Sequence, residues 1–270
     1  MKKIVVFGNC QAGQMALLMS HFLPQNEYEI INLSNNSRTG DMLLGEEILN
    51  IIRLADILVY QPLSSKHNEL SDENIKKNIK HKSVSLTFPY IFNSGIYSMS
   101  HAPMAEGNSY GKIYGEEAII SLIQKQHTKN EILEKYMSGH IDFDLQNRFQ
   151  ESIDILVQKE YETDIKISDF IEQNYKKEKL FITHNHPTNI VFYEIIKKIF
   201  TILEIPFDQS KIKNCRVNDL FETNCPITPY DIESHGYQFV HHNNWLEKGI
   251  KLIDLIWSEH AQLDAEKVKH

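Results

Sequence analysis

The chain has 270 residues, 41% of them hydrophobic and 24% charged, with a net charge of −8. That apolar content can bury a core without metal or disulfide support, and the acidic balance argues against a nucleic-acid binder that works by neutralising phosphates. Cys10, Cys215 and Cys225 are too few and too scattered for a secreted disulfide framework, and the first apolar run is too short for a signal peptide or a bilayer span, so a cytoplasmic protein without membrane insertion is expected.

Ile4 to Phe7 is a β-rich run without polar interruption, as in a central strand covered on both faces. Met15, Leu18, Met19 and Phe22 then recur at the spacing of an amphipathic helix, so the chain turns from strand to helix between Gly8 and Gln11. Tyr28 to Leu33 predicts a second strand and Ser34 to Gly40 a loop. Leu44, Ile48, Ile51 and Ile52 mark a helical face. Ala55 to Tyr60 and Ser83 to Phe88 predict two more strands, ending at Gln61-Pro62 and Pro89-Tyr90. This alternation describes a three-layer α/β fold with a doubly wound parallel sheet. Right-handed crossovers put the carboxyl ends of such strands on one side, where Cys10, Gln61 and Tyr90 can converge.

The stretch from Phe88 to Gly115 is aromatic-rich and lacks periodicity, as expected of a substrate-facing lid or wall. From Glu116 to Lys177 the pattern is helical, which predicts a single domain over 1–270 with a helical cap inserted at about 115–177. Leu180 to Thr183 predicts a further strand. It leads into His184-Asn185-His186-Pro187-Thr188-Asn189 and a helix carrying Val191, Ile195, Ile199 and Ile202. Proline suits a first helical turn, which puts His186 at or next to the helix start. Pro226 and Pro229 suggest an irregular stretch, and Trp245 to Trp257 a final amphipathic helix.

The strand-to-helix turn at Cys10 carries the first candidate chemistry. A dinucleotide fingerprint needs glycines at relative positions one, three and six; Gly8 and Gly13 fit, but Cys10 holds the middle place. A phosphate-cradling loop needs Lys and Ser or Thr after its second glycine, whereas Gln14 and Met15 follow Gly13. What remains is a thiol at a helix start, where unpaired N–H groups and the helix dipole favour the nucleophilic thiolate and can hold an oxyanion. A buried cysteine acting as a small hydrophobe is the plain alternative. His184 and His186 supply candidate bases at a second strand-to-helix turn. They are also candidate metal ligands together with His241 and His242, but no Cys, Asp or Glu completes a ligand spacing, so no metal is expected.

Gly8-Asn9-Cys10-Gln11, together with His184-Asn185-His186-Pro187, resembles the WcbI-type polysaccharide biosynthesis acetyltransferases. The resemblance implies an SGNH-hydrolase-like, flavodoxin-like topology and an O-acetyltransferase that moves acetyl from acetyl-CoA to a sugar or glycan acceptor in capsular or other surface polysaccharide synthesis. Association at the periphery of an assembly system is compatible with that role. In the SGNH comparison Cys10 takes the place of the nucleophilic serine and His186 that of the base. Thr183 stands where the orienting aspartate belongs, so simple triad hydrolysis is in doubt. Asn9, Gln11, Gln61 and Tyr90 are then expected at the oxyanion and substrate, and Gly8, Gly13, Arg38 and Lys112 at coenzyme A. An esterase or deacetylase acting on acetylated glycans, and a noncatalytic module binding coenzyme A or glycans, are the competing readings.

Overall fold

The computed structural model describes residues 1–35, 45–101, 113–206, 208, 210–213, 215, 217–219, 225–239 and 244–267. Of the expected site residues, Arg38 and Lys112 lie outside this set, as do His241 and His242. The chain divides into two compact units. One comprises Met1–Ile91, Ile155–Ile171 and Pro187–Glu222; the other comprises Phe92–Asp154, Glu172–His186 and Thr223–His270.

The first unit is built on four parallel strands: β1 (Lys2–Gly8), β2 (Tyr28–Ser34), β3 (Ile57–Tyr60) and β4 (Val84–Thr87), in the order β2-β1-β3-β4. Helices α1 (Cys10–Phe22), α2 (Gly45–Ile52) and α3 (Asp72–Asn78) make the crossovers. The first crossover moves outward from β1 and the next two move the other way. Right-handed connections therefore put α1 on one face of the sheet and α2 and α3 on the other, which is the doubly wound α/β arrangement. Side-chain alternation agrees: Val5, Phe7, Leu58 and Tyr60 pack with Ile48, Leu49, Ile52 and Ile75 in one core cluster. Helix α8 (Asn189–Ile202) packs against α1 and buries Val191, Ile195 and Ile199, while Ile202 is exposed. It starts later than the proline suggests: Thr188 is the N-cap and Asn189 the first helical residue, so Pro187 precedes the helix and His186 sits outside its first turn. A short α9 (Ser210–Lys213) follows.

The second unit contains the two-residue antiparallel strands β5 (Ser100–His101) and β6 (Ile113–Tyr114), then α4 (Glu117–Gln124) and α5 (Lys129–Met137). Helices α6 (Leu145–Glu160) and α7 (Ser168–Asn174) cross the division between the units. Strand β7 (Phe181–Thr183) and the short extended β8 (His186–Pro187) come next, then α10 (Pro229–His235) and α11 (Trp245–Lys267). Ile119, Ile123, Ile132, Tyr136, Ile253 and Ile256 are among the side chains at its core. Pro229 opens a helix and not an irregular stretch: Thr228 and Asp231 form a capping box, with proline at a position where no N–H is needed.

Candidate active site

Cys10 is the first residue of α1, at the carboxyl end of β1. The chain crosses in opposite directions on either side of β1, so this is the topological switch point, where open α/β sheets form their binding crevice. Asn9 is the N-cap; its Oδ1 accepts from the Gln11 N–H at 2.9 Å, which fixes the first turn and presents Cys10 at the helix start. Cys10 is partly exposed, and none of the three cysteines is in a disulfide.

Two glutamines hold this turn from beneath. Gln61, just past β3, accepts from the Asn9 N–H at 3.0 Å and donates to Gln11 Oε1 at 3.2 Å. The Gln11 amide then clasps the chain after β4, accepting from the Ile91 N–H at 3.1 Å and donating to the Ile91 carbonyl at 2.7 Å. Gln11 is fully buried and Gln61 nearly so. The amides thus tie three strand ends together. Gly8 is required by close approach, since a Cβ there would lie 2.6 Å from Gln61 Oε1 and 3.0 Å from Ala12 Cβ. Gly13 is under no such constraint, its nearest neighbour being the Asn32 amide at 3.4 Å. Tyr90 is half-buried beside the clasped Ile91, with Lys159 Nζ 5.2 Å from its ring centroid; burial lowers the pKa of that lysine. One turn along α1, Gln14 donates to Asn189 Oδ1 at 2.8 Å and so fastens the start of α8.

Sequence reasoning missed the anchor of β4. Thr87 donates through both its N–H and its hydroxyl to Asp164 Oδ2, each at 2.7 Å, and Ile165 N–H returns a bond to the Thr87 carbonyl at 3.0 Å. The two residues are 77 positions apart, and no local pattern joins them.

The two histidines belong to the second unit and have different surroundings. His184 is completely buried. Its Nε2 donates to the Tyr97 carbonyl at 3.0 Å, so its Nδ1 is the acceptor for the Ser100 hydroxyl. Burial, with the nearby Arg148 charge adding to it, pushes its pKa down to about 3 and keeps the ring neutral. Both ring nitrogens are committed to the framework around the segment from Phe92 to Ser100. That segment is gripped throughout: Arg148 donates to the Ser94 carbonyl, His235 to that of Gly95 at 2.8 Å, Tyr237 to that of Ile96 at 2.5 Å, and Ser98 N–H donates to Asp231 at 2.6 Å.

His186 is arranged differently. Its Nδ1 lies 2.6 Å from Thr183 Oγ1, and the Thr183 hydroxyl donates to Asn185 Oδ1 at 3.2 Å. The Thr183 hydroxyl thus bridges the His186 ring and the Asn185 amide. Among the described residues no group of three or more His, Cys, Asp or Glu is placed to hold a metal ion, and no helix is long and apolar enough to cross a membrane.

A family model described as polysaccharide biosynthesis enzyme WcbI matches residues 3–208. The chain belongs to the WcbI family of polysaccharide biosynthesis enzymes. A solved structure of WcbI, described as the native protein without the disulfide bond between coenzyme A and one of its cysteines, superposes with a TM-score of 0.71. The match is at 18% identity and covers 94% of this chain and 89% of that one, which establishes a shared fold. No curated protein matches the chain. The WcbI assignment spans the Cys10 turn and both histidines.

Proposed function

We propose that this WcbI-family chain is an acyltransferase that moves an acetyl group from acetyl-CoA to a hydroxyl of a sugar acceptor in surface-polysaccharide synthesis. The observation that carries the reading is a partly exposed thiol at the first residue of α1, held at the sheet's switch point by an asparagine cap and two buried glutamines. Helix N-termini favour thiolate and accept the oxyanion of a tetrahedral intermediate. The solved WcbI structure, whose description speaks of a coenzyme A disulfide, supports a coenzyme A substrate for this site.

In this reading the Cys10 sulfur attacks the thioester carbonyl, the C–S bond to coenzyme A breaks, and the proton from Cys10 passes through His186 to the departing coenzyme A sulfur. The sugar hydroxyl then attacks the acetyl-cysteine, giving its proton to His186, and the Cys10 thiolate leaves. Exchange between two thioesters is nearly isoenergetic, which suits a cysteine to the relay. Thr183 supports the assignment of His186 by holding its ring through the Nδ1 contact at 2.6 Å.

The test is coenzyme A thiol release from acetyl-CoA by the full chain, with and without a panel of sugar acceptors. Release beyond one equivalent per chain that requires an acceptor, and that disappears in Cys10→Ala with unchanged circular dichroism, is the expected result. Release at equal rates without acceptor identifies a hydrolase, and tight coenzyme A binding without turnover identifies a binding module.

A further inference from the structure

The second unit contains a cleft of about 560 Å³ that the chemistry assigned to Cys10 leaves unused. Its size falls within the range of small-molecule sites, roughly 300–1,000 Å³. One wall is aromatic. The Phe92 and Tyr114 rings lie 5.5 Å apart at 57°, and Tyr114 rests against the neutral His184 ring at 5.0 Å. Both aromatic residues are half-buried, so each keeps part of its surface for a ligand.

The lining is also acidic. Glu117, Asp142 and Asp144 line the cleft, and all three are exposed. Asp142 Oδ1 accepts from the Asp144 N–H at 2.8 Å and Asp144 Oδ1 from the Asn147 amide at 2.7 Å, which orients both carboxylates. The cation in the lining is Arg148, whose guanidinium is spent on the backbone carbonyls of Ser94, Ser98 and Phe143. No carboxylate lies within ion-pair distance of it among the described residues. Three carboxylates against one guanidinium leave the cleft net negative, which repels phosphates and other anions. An aromatic platform in the same cleft as acceptor-only groups fits a ring that is apolar on one face and carries hydroxyl donors at its edge.

We propose that this cleft binds a neutral pyranose unit of the acceptor glycan, its C–H face on Phe92 and Tyr114 and its hydroxyls donating to Asp142 and Glu117. The assignment rests on the acyltransferase reading for its choice of sugar as substrate, and on the cleft alone for the place and for the exclusion of acidic sugars and coenzyme A.

The experiment is saturation-transfer NMR on the full chain with the methyl glycosides of glucose, galactose, mannose, N-acetylglucosamine and glucuronic acid. At least one neutral glycoside gives transfer, strongest at its C–H face, and the glucuronide gives none. Asp142→Asn and Glu117→Gln each weaken that binding about ten-fold, the loss expected for a hydrogen bond to a charged group, while coenzyme A affinity by calorimetry stays unchanged. Both positions are exposed, so the variants fold. The proposal is overturned if no neutral glycoside shows transfer, if neither substitution weakens binding, or if the same substitutions weaken coenzyme A binding instead. Sugar binding that responds to these substitutions in a protein lacking acetyl transfer would sink the proposed activity and leave the cleft standing.

Discussion

His184 makes the stability of the second unit sensitive to acid in a way that one substitution isolates. Its folded pKa of about 3 lies well below the ordinary value of 6.5, because burial and then the Arg148 charge oppose protonation. The unfolded chain binds a proton at this residue below pH 6.5 and the folded chain does not, so stability is complete above that pH and is lost as pH falls toward 3. At about 1.4 kcal/mol per unit, acidification from pH 7 to pH 4.5 removes about 3 kcal/mol through this residue. Asp231 works in the opposite direction. Burial raises its pKa to about 6 against the stabilising N–H and hydroxyl bonds of Thr228 and Ser98. The folded chain thus holds a proton the unfolded chain has released, and over the same interval Asp231 returns about 2 kcal/mol. Wild-type urea stability therefore changes little through these two residues together. His184→Gln keeps a polar group beside Ser100 and removes the titration. Its stability is lower at pH 7, and it gains relative to wild type by about 3 kcal/mol on acidification to pH 4.5. Urea midpoints at half-unit pH intervals measure this. Parallel pH profiles for the two proteins would refute the assignment of a buried neutral imidazole.

Asn9→Ala removes the cap bond to the Gln11 N–H and lowers urea stability by about 1 kcal/mol, with a larger fall in the rate at which Cys10 is alkylated at neutral pH than in stability; an unchanged alkylation rate would disconnect the cap from thiol reactivity. Gly8→Ala forces a methyl group against the Gln61 amide and costs about 1–3 kcal/mol in denaturant titration, whereas Gly13→Ala, with ordinary contact distances, is neutral or stabilising. Thr183→Val removes the orienter of His186 without changing side-chain volume. In the acyltransferase reading it lowers kcat by about ten-fold or more and shifts the acid limb of the pH–rate profile, and Thr183→Ser restores both; a change confined to thermal stability would make Thr183 structural only.

The parallel sheet was legible because each strand is an apolar run closed by a polar or proline turn, and these local signals fixed β1, β3 and β4 to within a few residues. The Cys10 turn was legible for the same reason. Asn9 carried a readable signal as well, since asparagine just ahead of an apolar helical stripe is an N-cap pattern. The capping box at Thr228-Pro229-Tyr230-Asp231 was equally local and was obscured by weighting its proline as a breaker. The remaining features were not local. The Gln11 clasp on Ile91 and the Thr87–Asp164 pairing join residues about 80 positions apart through the generic chemistry of an amide, a hydroxyl and a carboxylate, none of which patterns a sequence. In one dimension only the His-Pro resemblance set His186 apart from His184, and the residues themselves did not. Both rings are buried, and what separates them is the commitment of both His184 nitrogens to Ser100 and Tyr97 against the Thr183 contact of His186.

In the acyltransferase reading the Cys10 sulfur carries the acyl group. Intact-mass analysis after rapid acid quench of the full chain with acetyl-CoA, without acceptor, tests it directly. One acetyl group per chain is expected, mapped to the peptide containing Cys10, absent in Cys10→Ser and discharged on adding a competent sugar. Acceptor-dependent acetyl transfer that proceeds in Cys10→Ser, with no acetyl ever found on the wild-type thiol, would contradict it.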